Sequence, residues 1–227
     1  VGLRPIANGR MMAGRIAEGQ HAPSSRATRG AVLRGEEPLM TTSTVQGAGG
    51  SRGDELGGIR RWNIIAGFAH LAQLIAILVL ANDFALPVTA TYMAGPPGTP
   101  PSEPVVLFDS RVAWGVALFF GLSALFHFVV AMPPFNRRYA AGLVAQHNYF
   151  RWVEYSLSSS VMMVLIAQIV GISDAAALIA IFGVNASMIL FGWLQERYET
   201  PGSGGWLPFV FGCIAGIVPW LAVALYV

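Results

Sequence analysis

A chain of 227 residues with 54% hydrophobic and only 11% charged residues lies far from the soluble average of about one quarter charged. Together with a mean hydropathy of +0.56, this excludes an ordinary water-soluble core. All 14 basic residues behind the net charge of +2 are arginine, and they gather at the ends of apolar runs, a pattern of membrane topology signals and not of nucleic-acid contact.

Residues 1–60 hold eight arginines among many Gly, Ser and Thr residues, with no sustained apolar periodicity. Such a segment buries too little surface to offset its ordering entropy. It reads as a disordered tail, and no apolar run in it resembles a signal-peptide core. Met40 opens a plausible short polar leader, so residues 1–39 are a candidate misassigned start. The domain reading is therefore a tail over 1–60 and a membrane domain over 61–227.

Charge-free stretches then recur at Trp62–Asn82, Val112–Asn136, Tyr155–Ser173, Ala175–Gln195 and Thr200–Val227. Each reaches the roughly 20 residues that cross about 30 Å of hydrocarbon. The fold class is thus an all-α membrane protein with five transmembrane helices. The third has two possible starts. One near Ala140 carries Arg151 and Glu154 into the membrane, and one at Arg151 leaves both at the surface.

Between the first two spans, Asp83–Ser110 contains Pro87, Pro96, Pro97, Pro100, Pro101 and Pro104, which forbid a regular helix. Val88–Met93 and Val105–Phe108 have strand composition, so this segment predicts a hairpin-like loop. The single cysteine, Cys213, excludes an intrachain disulfide and a thiolate metal cluster and leaves the redox compartment open.

Arginine counts orient the chain. With the N-terminus in the cytoplasm, thirteen of the fourteen arginines lie inside and only Arg111 lies outside. The positive-inside rule therefore places the N-terminus in the cytoplasm of a multi-pass cell-membrane protein, with the hairpin outside.

The chemistry concentrates in His147–Ser160, where an acid, a base and several hydroxyls lead into apolar sequence. Ionisable groups at membrane depth are costly and mark function. Arg151 and Glu154 are three apart and so neighbours on a helix, while Glu154, Ser158, Val161, Leu165 and Gln168 share one stripe. The plainer reading is an interfacial Arg151–Glu154 ion pair with serines bonded back to the preceding turn. Glu196 and Asp174 fall near the membrane surface, where their neutralisation should matter little.

The run RWVEYSLSSSVM, with GVNASMILFGWLQE (Gly183–Glu196) and FGCIAGIVPW (Phe211–Trp220), resembles the heliorhodopsins, retinal proteins whose membrane orientation is opposite to that of other microbial rhodopsins. NDFALP (Asn82–Pro87), GPPGT (Gly95–Thr99) and LSALFHF (Leu122–Phe128) match the same family, and the resemblance covers about Arg61–Val227. It implies a rhodopsin-like bundle of seven helices, of which this chain holds five, and an extracellular hairpin involved in homodimer contacts. The independent arginine count agrees with the inverted orientation.

The resemblance also assigns roles. Glu154 becomes the counterion of the retinal Schiff base. His70, His127, Arg151, Ser158, Ser159 and Asn185 become the polar cavity beside it, although a membrane histidine is often a packing residue and Asn185 could equally knit helices. Met162, Met188, Gly192 and Trp220 become the retinal pocket, against the commoner reading of Met and aromatic residues as core. The family holds retinal on a lysine of its seventh helix, and these 227 residues contain no lysine, so covalent attachment is not possible here. The apolar ending at Val227 suggests a fragment of a longer reading frame.

Three functions compete at this stage. The first is a light-sensing retinal protein with an unknown cytoplasmic signalling partner. Its spans hold Glu154 as the one acid, too few for the carboxylate relay of an ion pump. The second is an intramembrane metal-dependent enzyme using His70, His127 and Glu154, which lacks an HExxH-type pair. The third is a non-photoactive truncated membrane protein.

Overall fold

The computed structural model describes residues 46–200 and 202–227; of the tail expected over residues 1–60, residues 1–45 lie outside them. Helix α1 (Gln46–Leu80) is followed by the strands β1 (Ala85–Ala90) and β2 (Val105–Arg111) and then by α2 (Val112–Ala131). The short α3 (Phe135–Val144) precedes α4 (Tyr149–Ile169), α5 (Ala175–Tyr198) and α6 (Leu207–Ala224). Five helices among the described residues are long and apolar enough to cross a membrane: Gly57–Leu80 of α1, and all of α2, α4, α5 and α6. This is the expected mostly helical bundle with a small antiparallel sheet.

Two boundaries differ from the sequence reading. The first helix begins at Gln46 and not after Arg60. Each glycine in that stretch disfavours a helix by about 1 kcal/mol, but extension from a formed span avoids the cost of nucleation. The third span starts at Tyr149 and is not continuous from Ala140. Gln146 takes a positive φ of 59°, the His147 N–H donates to the Gly142 carbonyl at 2.7 Å, and the Asn148 side chain accepts from the Arg151 N–H at 3.2 Å. That is a helix end followed by an N-cap. The residues Phe135–Val144 form their own exposed helix, bearing Arg137 and Arg138.

The hairpin pairs Ala85 with Arg111 and Ala90 with Val105, with a bulge between Val88 and Thr89. The bulge turns Thr89 toward the α4–α5 turn, where its N–H donates to the Ser173 carbonyl at 2.8 Å and its hydroxyl meets that of Ser173 at 3.0 Å. Val88 thereby enters the core with Met163, Ala167, Ile172, Leu178, Ile181 and Val223.

The α4–α5 turn closes tightly for a local reason. Gly171, at φ 104°, donates to the Gln168 carbonyl at 3.0 Å and Ile172 to that of Ala167 at 2.9 Å, the two bonds of a glycine-ended Schellman cap. Asp174 then caps α5 by accepting from the Ala177 N–H at 2.9 Å. With so short a turn, α4 and α5 run antiparallel, and residues equidistant from Ile172 become neighbours.

Candidate functional site

A cavity of about 500 Å³ lies among α1, α2, α3 and the start of α4. Its wall takes Asn63 and His70 from α1, Ser123 and His127 from α2, and Tyr139 from α3. Asn148, Arg151, Glu154, Ser158 and Ser159 come from α4 and its cap. Glu154 is partly buried there, and the buried Ser123 stands where its hydroxyl can donate to the carboxyl group.

Hydrogen bonds fix the histidines. The Asn63 Nδ2 group donates to the Ile59 carbonyl at 2.9 Å, which leaves Asn63 Oδ1 to accept from His127 Nδ1 at 2.9 Å. His127 therefore carries its proton on Nδ1 when neutral. His70 meets Gln73 Oε1 at 3.0 Å through its own Nδ1, and the two imidazoles stack with centroids 5.4 Å apart and planes 13° apart.

The serines satisfy themselves along α4. Ser159 donates to the Tyr155 carbonyl at 2.6 Å and Ser160 to that of Ser156 at 2.7 Å, the back-bonding that lets hydroxyls sit in an apolar helix. Asn185, buried on α5, donates to Ser159 at 2.9 Å and to Ser160 at 3.1 Å. It thus backs the cavity without lining it. The structure gathers His70, His127, Arg151, Glu154, Ser158 and Ser159 on one cavity wall, with Asn185 one contact behind.

Arg151 does not pair with Glu154 among the described residues. Its guanidinium lies 3.9 Å from Glu196 on α5 and 4.7 Å from the centre of the Trp152 ring. Glu196 also accepts from the Asn148 N–H and from Trp152 Nε1, and only 17% of its side chain is exposed. Glu196 is thus not a freely solvated surface acid, because it clasps the first turn of α4 to the end of α5.

The four residues assigned to a retinal pocket, Met162, Met188, Gly192 and Trp220, do not line the cavity that holds Glu154. A Cβ on Gly192 would collide with the Trp152 ring, and one on Gly216 would collide with the Met188 sulfur. These glycines are seats for side chains of the neighbouring helix. Trp220 is 56% exposed and Met162 is partly exposed.

Sequence reasoning missed Glu196 and Tyr139 as neighbours of the site. For Glu196 a signal existed. Trp152 and Gly192 each lie 20 residues from Ile172, and Asn148 and Glu196 each lie 24, so a tight turn at Ile172 sets each pair side by side. The metal alternative lacks its ligand set, since no three His, Cys, Asp or Glu residues come close enough to hold an ion among the described residues.

The family model described as Heliorhodopsin matches residues 59–227. No curated protein matches the chain significantly.

Proposed function

Because the chain belongs to the heliorhodopsin family, a group of retinal-binding, rhodopsin-type membrane proteins, we propose that it is the counterion-bearing part of a light sensor and not of an ion pump. The observation that carries this reading is Glu154, a lone carboxyl in a cavity otherwise walled by neutral or basic polar groups and aromatics. When bound, retinal would supply a light-absorbing cationic imine nitrogen that needs an opposing charge in a low-dielectric site.

The residues present fit the polar side of such a site and not its covalent side, since no lysine occurs among the 227. Glu154 holds the negative charge, Ser123 steadies it, and Glu196 draws Arg151 away from it, so that Glu154 is free to face a different cation. His127 and Asn63 hold the far wall of the cavity in one hydrogen-bonded arrangement. The absence of a second acid from the described cavity wall supports sensing over pumping, for which a relay of carboxylates is usual.

The arginine distribution supports a cytoplasmic N-terminus and an external hairpin. On β2, Val105, Val106, Leu107 and Phe108 are 46–59% exposed, an apolar strip that supports a second copy of the chain as partner. A cytoplasmic protein would receive the signal.

Joining this chain to a lysine-bearing carboxy-terminal segment of a family member and adding retinal tests the reading. A visible absorption band that bleaches and recovers in light, with no light-driven pH change across vesicles, is expected. Sustained proton or chloride movement would overturn the sensor assignment.

A further inference from the structure

Four arginines gather where α1 begins its span and α2 ends its own. Arg60 and Arg61 stand in the first turns of the α1 span, and Arg137 and Arg138 stand on α3, which only three residues separate from Ala131. Two hydrogen bonds hold the groups together. Arg60 Nε donates to the Ala131 carbonyl at 2.9 Å, and Asn136 Nδ2 donates to the adjacent Val130 carbonyl at 3.1 Å, so Arg60 lies beside the first turn of α3.

The faces of α3 are sorted. Asn136, Tyr139, Ala140 and Leu143 recur at the spacing of one helical stripe and are half-buried, with the Tyr139 and Phe135 rings set edge-on to Phe150 at 6.0 and 6.3 Å. Arg137, Arg138, Ala141 and Val144 form the opposite, exposed face. No acid occurs on α3, and the ion pairs among the described residues use Arg111 and Arg151 instead. The four guanidinium groups are thus left for an outside anion.

Depth identifies that anion. The 20 residues of α2 rise about 30 Å at 1.5 Å per residue, the thickness of the hydrocarbon layer. Ala131, its last residue, therefore stands at the hydrocarbon edge, and an arginine bonded to its carbonyl stands at the level of the headgroups. Met132 and Phe135 beside it are 53% and 40% exposed, apolar surface that suits acyl chains better than water. Guanidinium groups match phosphate oxygens in geometry as well as charge.

We propose that this edge is a docking surface for acidic phospholipids, with Arg60, Arg61, Arg137 and Arg138 facing the headgroup phosphates while Met132 and Phe135 rest among the acyl chains.

The test uses the purified chain, stripped of lipid in detergent and offered phosphatidylglycerol or phosphatidylcholine with the same acyl chains. Retained lipid is counted by native mass spectrometry. Phosphatidylglycerol should be retained more tightly by on the order of tenfold, the scale of a few arginines at a membrane edge. Arg137→Gln with Arg138→Gln should remove most of that preference, and Arg137→Lys with Arg138→Lys, which keeps the charge, should retain most of it. Arg111→Gln with Arg197→Gln, which removes the same net charge elsewhere, should leave the preference intact. Equal retention of the two lipids by the parent chain would overturn the proposal and leave the edge to a soluble acidic partner. So would an unchanged preference in the Arg137 and Arg138 glutamine pair, an equal loss in the Arg111 and Arg197 pair, or displacement of phosphatidylglycerol by equimolar inorganic phosphate.

Discussion

Arg151, in the first turn of α4, reaches across to Glu196 near the end of α5 at 3.9 Å, although Glu154 lies only three residues further along its own helix. Glu196 gains two N–H donors as well, from Asn148 and Trp152. Removing it would strand a backbone N–H and an indole N–H in a partly buried place. Glu196→Ala should therefore destabilise the protein by about 1–3 kcal/mol, read as a lower midpoint of thermal unfolding in detergent. Two controls should leave the midpoint nearly unchanged. Asp83→Asn breaks only the exposed pair with Arg111, and Asp174→Asn keeps a competent cap. Equal midpoints for Glu196→Ala and these controls would remove the clasp from the account.

The seat of Met188 on Gly216 joins α5 to α6. Gly216→Val would force the methionine aside, and overpacking of this kind costs about 1–3 kcal/mol. The double variant with Met188→Ala should recover part of that loss, a coupling expected only of side chains in contact. Additive losses would show that the two residues do not share a packing site.

Long apolar runs made the five spans legible, because period and composition over 20 residues outweigh local detail. The break at Gln146–Asn148 escaped, since its signals are one residue in a left-handed conformation and one asparagine cap. Within the site, His70, Glu154 and His127 stood out by their cost in a membrane. Their convergence did not, because helix spacing orders residues on one helix and says nothing of which faces meet. Only across the Ile172 turn did symmetry give a direct pairing rule.

For topology, the arginine count predicts a cytoplasmic N-terminus and an external hairpin. Protease added to intact cells should leave an N-terminal tag untouched, while a protease site placed between Gly95 and Pro101 should be cut. Cleavage of the tag in sealed cells would invert the assignment.

The 227 residues offer no lysine amine, so retinal added to this chain alone should form no stable visible pigment. Borohydride, which would lock an imine into a permanent adduct, should leave the protein mass unchanged. A mass gain equal to reduced retinal would contradict this.

The sharpest prediction concerns Glu154 once a lysine is supplied, as in the joined protein described above. A protonated imine in a low-dielectric cavity keeps its proton only while an opposing charge is near. Arg151 is engaged by Glu196 and the cavity offers no other acid among the described residues, so that charge falls to Glu154. Glu154→Gln removes it while keeping shape. The folded pigment should then lose its visible band at a lower pH than the parent as pH is raised, because the proton is held less tightly, and the absorption maximum should shift at pH values where both forms are protonated. Glu196→Gln should produce a smaller shift in the same titration, since it acts through the placing of Arg151 and the first turn of α4. If Glu154→Gln titrates like the parent while Glu196→Gln does not, then Glu196 sets the electrostatics of the site and Glu154 serves only to hydrogen-bond Ser123.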